Sequence, residues 1–77
     1  MSPRLPRVNA NEVIRVLEKI GFVLTRQSGS HKIYKNDEGR RATVAYHGST
    51  ILKPKTLKSI LNDANLTVEE FVDLLND

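Results

Sequence analysis

Apolar side chains recur at Val13, Ile14, Leu17 and Ile20, which lie on one stripe of a helical wheel. The pattern predicts a helix over about residues 10–20, with Asn9 or Asn11 as its N-cap. Gly21 stands just past the last turn, where a residue without a Cβ takes the left-handed conformation at little cost. The next run, Phe22 to Gln27, is rich in β-branched and aromatic residues and ends at the turn-forming cluster Ser28-Gly29-Ser30, so it reads as a strand. His31 to Lys35 resumes an extended pattern up to the turn Asn36-Asp37-Glu38-Gly39, and Arg40 to Tyr46 forms a third run. Three short runs joined by tight turns predict an antiparallel meander.

His47 to Leu52 shows no periodicity and reads as a loop. Pro54 suits a first helical turn, and Leu57, Ile60, Leu61 and Ala64 then repeat at helical spacing, predicting a second helix over about residues 54–64 closed by Asn65. Thr67-Val68-Glu69-Glu70 matches a capping box and leads Val68, Phe71, Val72 and Leu75 into a short third helix. The order α-β-β-β-α-α predicts an α+β domain, a three-stranded antiparallel sheet with its helices on one face. Residues 1–8, with Pro3 and Pro6, are expected as an irregular N-terminal arm, and residues 9–77 as a single domain.

Seventy-seven residues leave room for one core only, and a chain of this size buries about 60% of the surface its unfolded form exposes. The absence of cysteine excludes disulfides, thiolate nucleophiles and cysteine zinc sites. No apolar run approaches the ~20 residues of a membrane span, and the first seven residues lack the apolar stretch of a signal peptide. A soluble, cytoplasmic protein is the expectation. Charge is divided unevenly along the chain: residues 1–60 carry twelve bases and four acids, a balance of +8, whereas residues 61–77 carry five acids and no base. A basic body with an acidic tail suits a polyanion such as nucleic acid, although ordinary solvated charge has the same composition.

His31 and His47 are the only side chains with unperturbed titration near neutral pH, so proton-transfer chemistry starts there. His31 follows a Ser-Gly-Ser turn at the head of a strand, beside backbone that a substrate can approach. Arg26, Lys32 and Lys35 lie nearby in sequence, with Arg40 and Arg41 in the same meander, and this cationic setting suits a phosphodiester. RNA brings its own nucleophile: a 2′-hydroxyl attacking the adjacent phosphorus needs a base, an acid for the departing 5′-oxygen and positive charge for the phosphorane. A metal is not expected, because the two histidines are sixteen residues apart and Asp37 and Glu38 sit in a turn. A Ser30–His31 dyad is disfavoured, since neighbouring strand residues face opposite ways; Ser30 instead shapes the turn or touches phosphate. Lys53, Lys55 and Lys58 at the start of the second helix make either an anion site or a solvated helix end. Tyr34 and Tyr46 are assigned to the core.

The helix ending at Gly21-Phe22, the run Arg26-Gln27-Ser28-Gly29-Ser30-His31, the segment His47 to Leu57 and the ending Leu66-Thr67-Val68-Glu69-Glu70-Phe71 together resemble the HicA family of toxins from bacterial type II toxin–antitoxin systems. The resemblance spans about residues 9–75. It implies a fold like the double-stranded RNA-binding domain and an mRNA-cleaving toxin; no cofactor is expected. It also implies that His31 is required for catalysis, that Gly29 and Ser30 set its orientation, and that a HicB antitoxin binds over it. Relatives often carry glycine where Lys55 stands and proline where the chain has Ala45-Tyr46, so no role passes to His47. The resulting expectation is a metal-independent endoribonuclease with His31 as general base or acid and Arg26, Lys32, Lys53 and Lys55 as phosphate contacts. A non-catalytic RNA-binding module using the same basic surface is the alternative, and a docking patch for an acidic protein a third reading.

Overall fold

The computed structural model describes residues 4–77. Met1, Ser2 and Pro3 of the expected arm lie outside the described residues. The elements run α1 (Ala10–Lys19), β1 (Val23–Ser28), β2 (His31–Lys35), β3 (Arg41–Ala45), α2 (Pro54–Asp63) and α3 (Val68–Asn76). This is the expected α+β order with one three-stranded antiparallel sheet, β1-β2-β3.

Each helix starts and stops where its local chemistry dictates. The Asn9 side chain accepts from the Glu12 N–H at 3.0 Å, and the Glu12 carboxylate accepts from the Asn9 N–H at 3.0 Å, a reciprocal cap. At the other end of α1 the Phe22 N–H donates to the Leu17 carbonyl and the Gly21 N–H to that of Glu18, with Gly21 at φ +96°. This pair of bonds is a Schellman cap, and it draws Phe22 onto Leu17 in the core. The same device ends α2: Leu66 N–H reaches the Leu61 carbonyl and Asn65 N–H that of Asn62, and Asn65 takes φ +59° where glycine is more usual. Thr67 and Glu70 form the predicted capping box of α3.

The core is built from Val13, Val16 and Leu17 of α1, Leu57, Ile60 and Leu61 of α2, Phe71 of α3, and Tyr34, Ala42 and Val44 from the inner face of the sheet. Val8, the last residue before the capped helix, is 1% exposed, and its carbonyl accepts from the Leu52 N–H at 2.8 Å. Arg4 to Val8, the described residues of this segment, are therefore without regular structure yet anchored at their end. Two cations also join separate elements by meeting the open carbonyls of helix C-termini. Lys19 donates to the Leu74 and Asp77 carbonyls at 2.8 and 2.9 Å, and Arg40 to that of Asp63 at 3.1 Å.

The first two strands do not pair continuously. Leu24 faces Tyr34 but Arg26 faces Ile33, so Thr25 is an extra residue in β1. The bulge changes the parity of β1 and turns Arg26 to the open face of the sheet. Val23 and Leu24 of this edge strand are 63% and 48% exposed; Val23 pairs with Lys35 on the outward face and Leu24 with Tyr34 on the inward one.

Phe71 is 0% exposed and is the main apolar contribution of α3, so Phe71→Ala is expected to cost about 3–5 kcal/mol in urea-induced unfolding. Burial, and after it the Glu18 carboxylate, pushes the Tyr34 phenol above its ordinary value. Because the neutral phenol is favoured by folding, this contribution is complete below about pH 10 and is lost as the pH rises through the raised folded value. Tyr34→Phe should therefore flatten the alkaline limb of a stability–pH curve, measured by thermal unfolding.

Candidate functional site

The site forms where the β1–β2 hairpin meets the end of β3. Ser28 pairs with His31, leaving Gly29 and Ser30 as a two-residue loop with Gly29 at φ +59°. The Gln27 amide donates to the Gly29 carbonyl at 3.3 Å, and the Tyr46 N–H donates to the Ser30 carbonyl at 2.6 Å. The loop is thus held from both sides, by its own strand and by the chain leaving β3.

Strand pleating then sorts the expected residues. Tyr34 is buried, so Lys32 shares its inward face, while His31, Ile33 and Lys35 face outward. His31 is exposed, opposite Ser28 on one side and Ala45 on the other. Arg26 sits opposite Ile33, which makes it the diagonal neighbour of His31 on the same face, at the ~7–8 Å typical of such pairs. His31, Ser28 and Arg26 are therefore brought together. Lys32 is not: it is half-buried on the helix side, with its ammonium 4.2 Å from the centre of the Tyr46 ring. Tyr34 is in the core, and Tyr46 packs against its margin.

Lys53 and Lys55 occupy a second cationic position, at the start of α2. Lys53 is the N-cap residue and makes no side-chain cap; Pro54 follows, and the helical bonding begins with the Leu57 N–H on the Lys53 carbonyl. Both lysines are exposed. Lys53 lines a shallow groove of about 270 Å³ together with Ala45, His47, Thr50 and Thr56. Ala45 is the link between the two regions, since it pairs with His31 in the ladder and also borders the groove. His47, Thr50 and Thr56 carry no role in the sequence-based expectations. Thr56 follows Lys53 by three residues, a spacing that places both on one side of a helix start. A second groove, of about 310 Å³, lies on the other side of Ile51 and Leu52 and is bordered by Leu5, Pro6 and Arg7.

Chemically, the arrangement offers an exposed imidazole on the outward face of the sheet, a hydroxyl and a guanidinium beside it, and lysines at the start of α2. Such a surface fits an extended anionic chain better than an enclosed small molecule. Among the described residues, no three His, Asp or Glu side chains cluster in a way that could hold a metal ion. Nor, among them, is any helix long and apolar enough to cross a membrane.

A family model described as the HicA toxin of bacterial toxin–antitoxin matches residues 10–66, from the first turn of α1 to the cap that ends α2. No curated protein matches the chain.

Gly29 tests the hairpin directly. A Cβ there would meet nothing within 4 Å, so the cost of Gly29→Ala is conformational alone, roughly 1–2 kcal/mol for the left-handed backbone. Chemical denaturation should report that loss, and a variant as stable as the parent would show that the loop does not require this geometry.

Proposed function

Because the chain belongs to the HicA family of toxins of bacterial toxin–antitoxin systems, we propose that it is a metal-independent endoribonuclease that cleaves mRNA with His31 as the proton-transfer group. One observation carries this reading: His31 is exposed on the open face of the sheet, next to Ser28 and Arg26, at the end of a hairpin held by hydrogen bonds. An imidazole so placed can take the proton of a ribose 2′-hydroxyl, or deliver one to the departing 5′-oxygen, without being drawn out of a core.

The surrounding groups divide the remaining work. Gly29 and Ser30 fix the hairpin and with it the orientation of His31. Arg26 contacts a phosphate on the sheet face, and Lys53 with Lys55 engages the chain near the start of α2, where helix-terminal N–H groups also favour an anion. Lys32, held over Tyr46, adds its charge to this field at longer range. The substrate supplies the nucleophile, which is why a shallow surface suffices. A HicB-type antitoxin is the expected protein partner, neutralising the toxin by covering His31, and access to mRNA places the protein in the cytoplasm.

The test compares wild type with His31→Ala on RNA in the presence of a chelator. Wild type should cut, and the variant should lose about 10²–10⁴-fold in rate while binding RNA with nearly unchanged affinity. Equal cleavage by both would remove His31 from the chemistry. Tight binding with no cleavage by wild type would identify a non-catalytic RNA-binding module instead.

A further inference from the structure

We propose that His47 is the catalytic acid that complements His31, protonating the 5′-oxygen as it leaves phosphorus. This rests on the ribonuclease reading above and adds the second proton-transfer group that the reading lacks.

Placement is the first argument. Ala45 stands opposite His31, at the ~4.5–5.5 Å Cα spacing of an antiparallel pair, and His47 follows two residues later. The Tyr46 N–H bond to the Ser30 carbonyl carries the ladder one residue beyond β3, so the backbone between the two histidines is held to the hairpin. Both imidazoles therefore belong to the same end of the sheet, and both are exposed. His47 lines the groove beside Ala45, and Lys53 and Thr56 line it too.

Elimination is the second. Asp37 and Glu38 lie in the β2–β3 turn, at the far end of a five-residue strand, about 16 Å from the hairpin loop. Glu12 and Glu70 are occupied as reciprocal caps of α1 and α3. The remaining carboxylates lie on α1, α2 and α3 and at the chain end, with Glu18 close enough to act on Tyr34. That leaves His47, two residues beyond the ladder partner of His31, as the second imidazole at this end of the sheet.

Charge assigns the direction. An oxyanion develops on the departing oxygen, and Lys53, the N-cap residue of α2, lines the same groove as His47. His31, in its neutral form, removes the 2′-hydroxyl proton; the 2′-oxygen bonds to phosphorus and closes a cyclic phosphate. The bond from phosphorus to the 5′-oxygen breaks, and its electron pair takes the proton from the His47 imidazolium. One imidazole gains a proton and the other loses one, so no further reactant is consumed.

The experiment uses the bond that wild type is found to cut, in one RNA with the natural bridging 5′-oxygen and in another with sulfur in its place. A thiolate leaves without needing a proton. His47→Ala, and His47→Gln as a variant of closer size, should cut the oxygen-bridged RNA about 10²–10⁴-fold more slowly yet cut the sulfur-bridged RNA at nearly the wild-type rate. His31→Ala should be slow on both. Equal losses on the two substrates, or wild-type cleavage of the oxygen-bridged RNA by either His47 variant, would overturn the assignment while leaving the ribonuclease reading intact. A wild-type protein that cuts no RNA would overturn that reading and this one with it.

Discussion

The inward packing of Tyr34 governs the rest of the molecule. Successive strand residues face opposite ways, so once the Tyr34 ring is in the core the positions of His31, Ile33 and Lys35 are determined, and all three face away from the helices. A slip of one residue would exchange the faces, burying an imidazole and exposing an aromatic ring. Ala42 and Val44 reinforce the same choice from β3, since each pairs with an inward residue of β2. The orientation of the exposed imidazole is thus a by-product of core burial, and no dedicated buried polar network is needed to aim it.

Helix boundaries were legible because short-range chemistry writes them. Asn9 with Glu12, Thr67 with Glu70, and the left-handed residues Gly21 and Asn65 mark the ends within a residue or so. Strand order followed from the two tight turns. The bulge at Thr25 was not legible, since nothing in a run of β-branched and polar residues says which one is left unpaired. Its effect is large all the same: without the extra residue, Arg26 would share the face of Lys32 rather than that of His31. The first strand also begins one residue later than the composition suggests. Phe22 belongs to the cap of α1, and tertiary packing claims it before the sheet can.

The site was legible in part for a similar reason. The alternation rule separated Lys32 and Tyr34 from His31, Ile33 and Lys35 without coordinates. What it could not supply was the partner of each charge. Lys19 and Arg40 meet the carbonyl ends of α3 and α2, and Lys32 sits over Tyr46, so part of the basic excess of residues 1–60 has structural work. Composition counts these cations equally with Arg26, Lys53 and Lys55, which stay exposed on the sheet face and at the helix start. The groove beside Ala45 was invisible as well, because it is made by a loop without periodicity, whose path is set by the Leu52 to Val8 hydrogen bond and the Asn9 to Ile51 bridge.

A domain this small cannot spare interior volume for an enclosed active site, since its core is already the minimum that three helices and one sheet face can make. Any site on such a domain must then sit on the surface, where each group is exposed and rigidity has to come from the backbone. The β1–β2 hairpin meets that demand, being tied by strand pairing on one side and by the Tyr46 N–H on the other. The loop after β3 is tied in turn through Leu52 to the start of α1. Two short connections held to the same scaffold can keep two side chains in register without a pocket around them. The proposed ribonuclease reading asks for no more than that, because the RNA of that reading carries its own nucleophile.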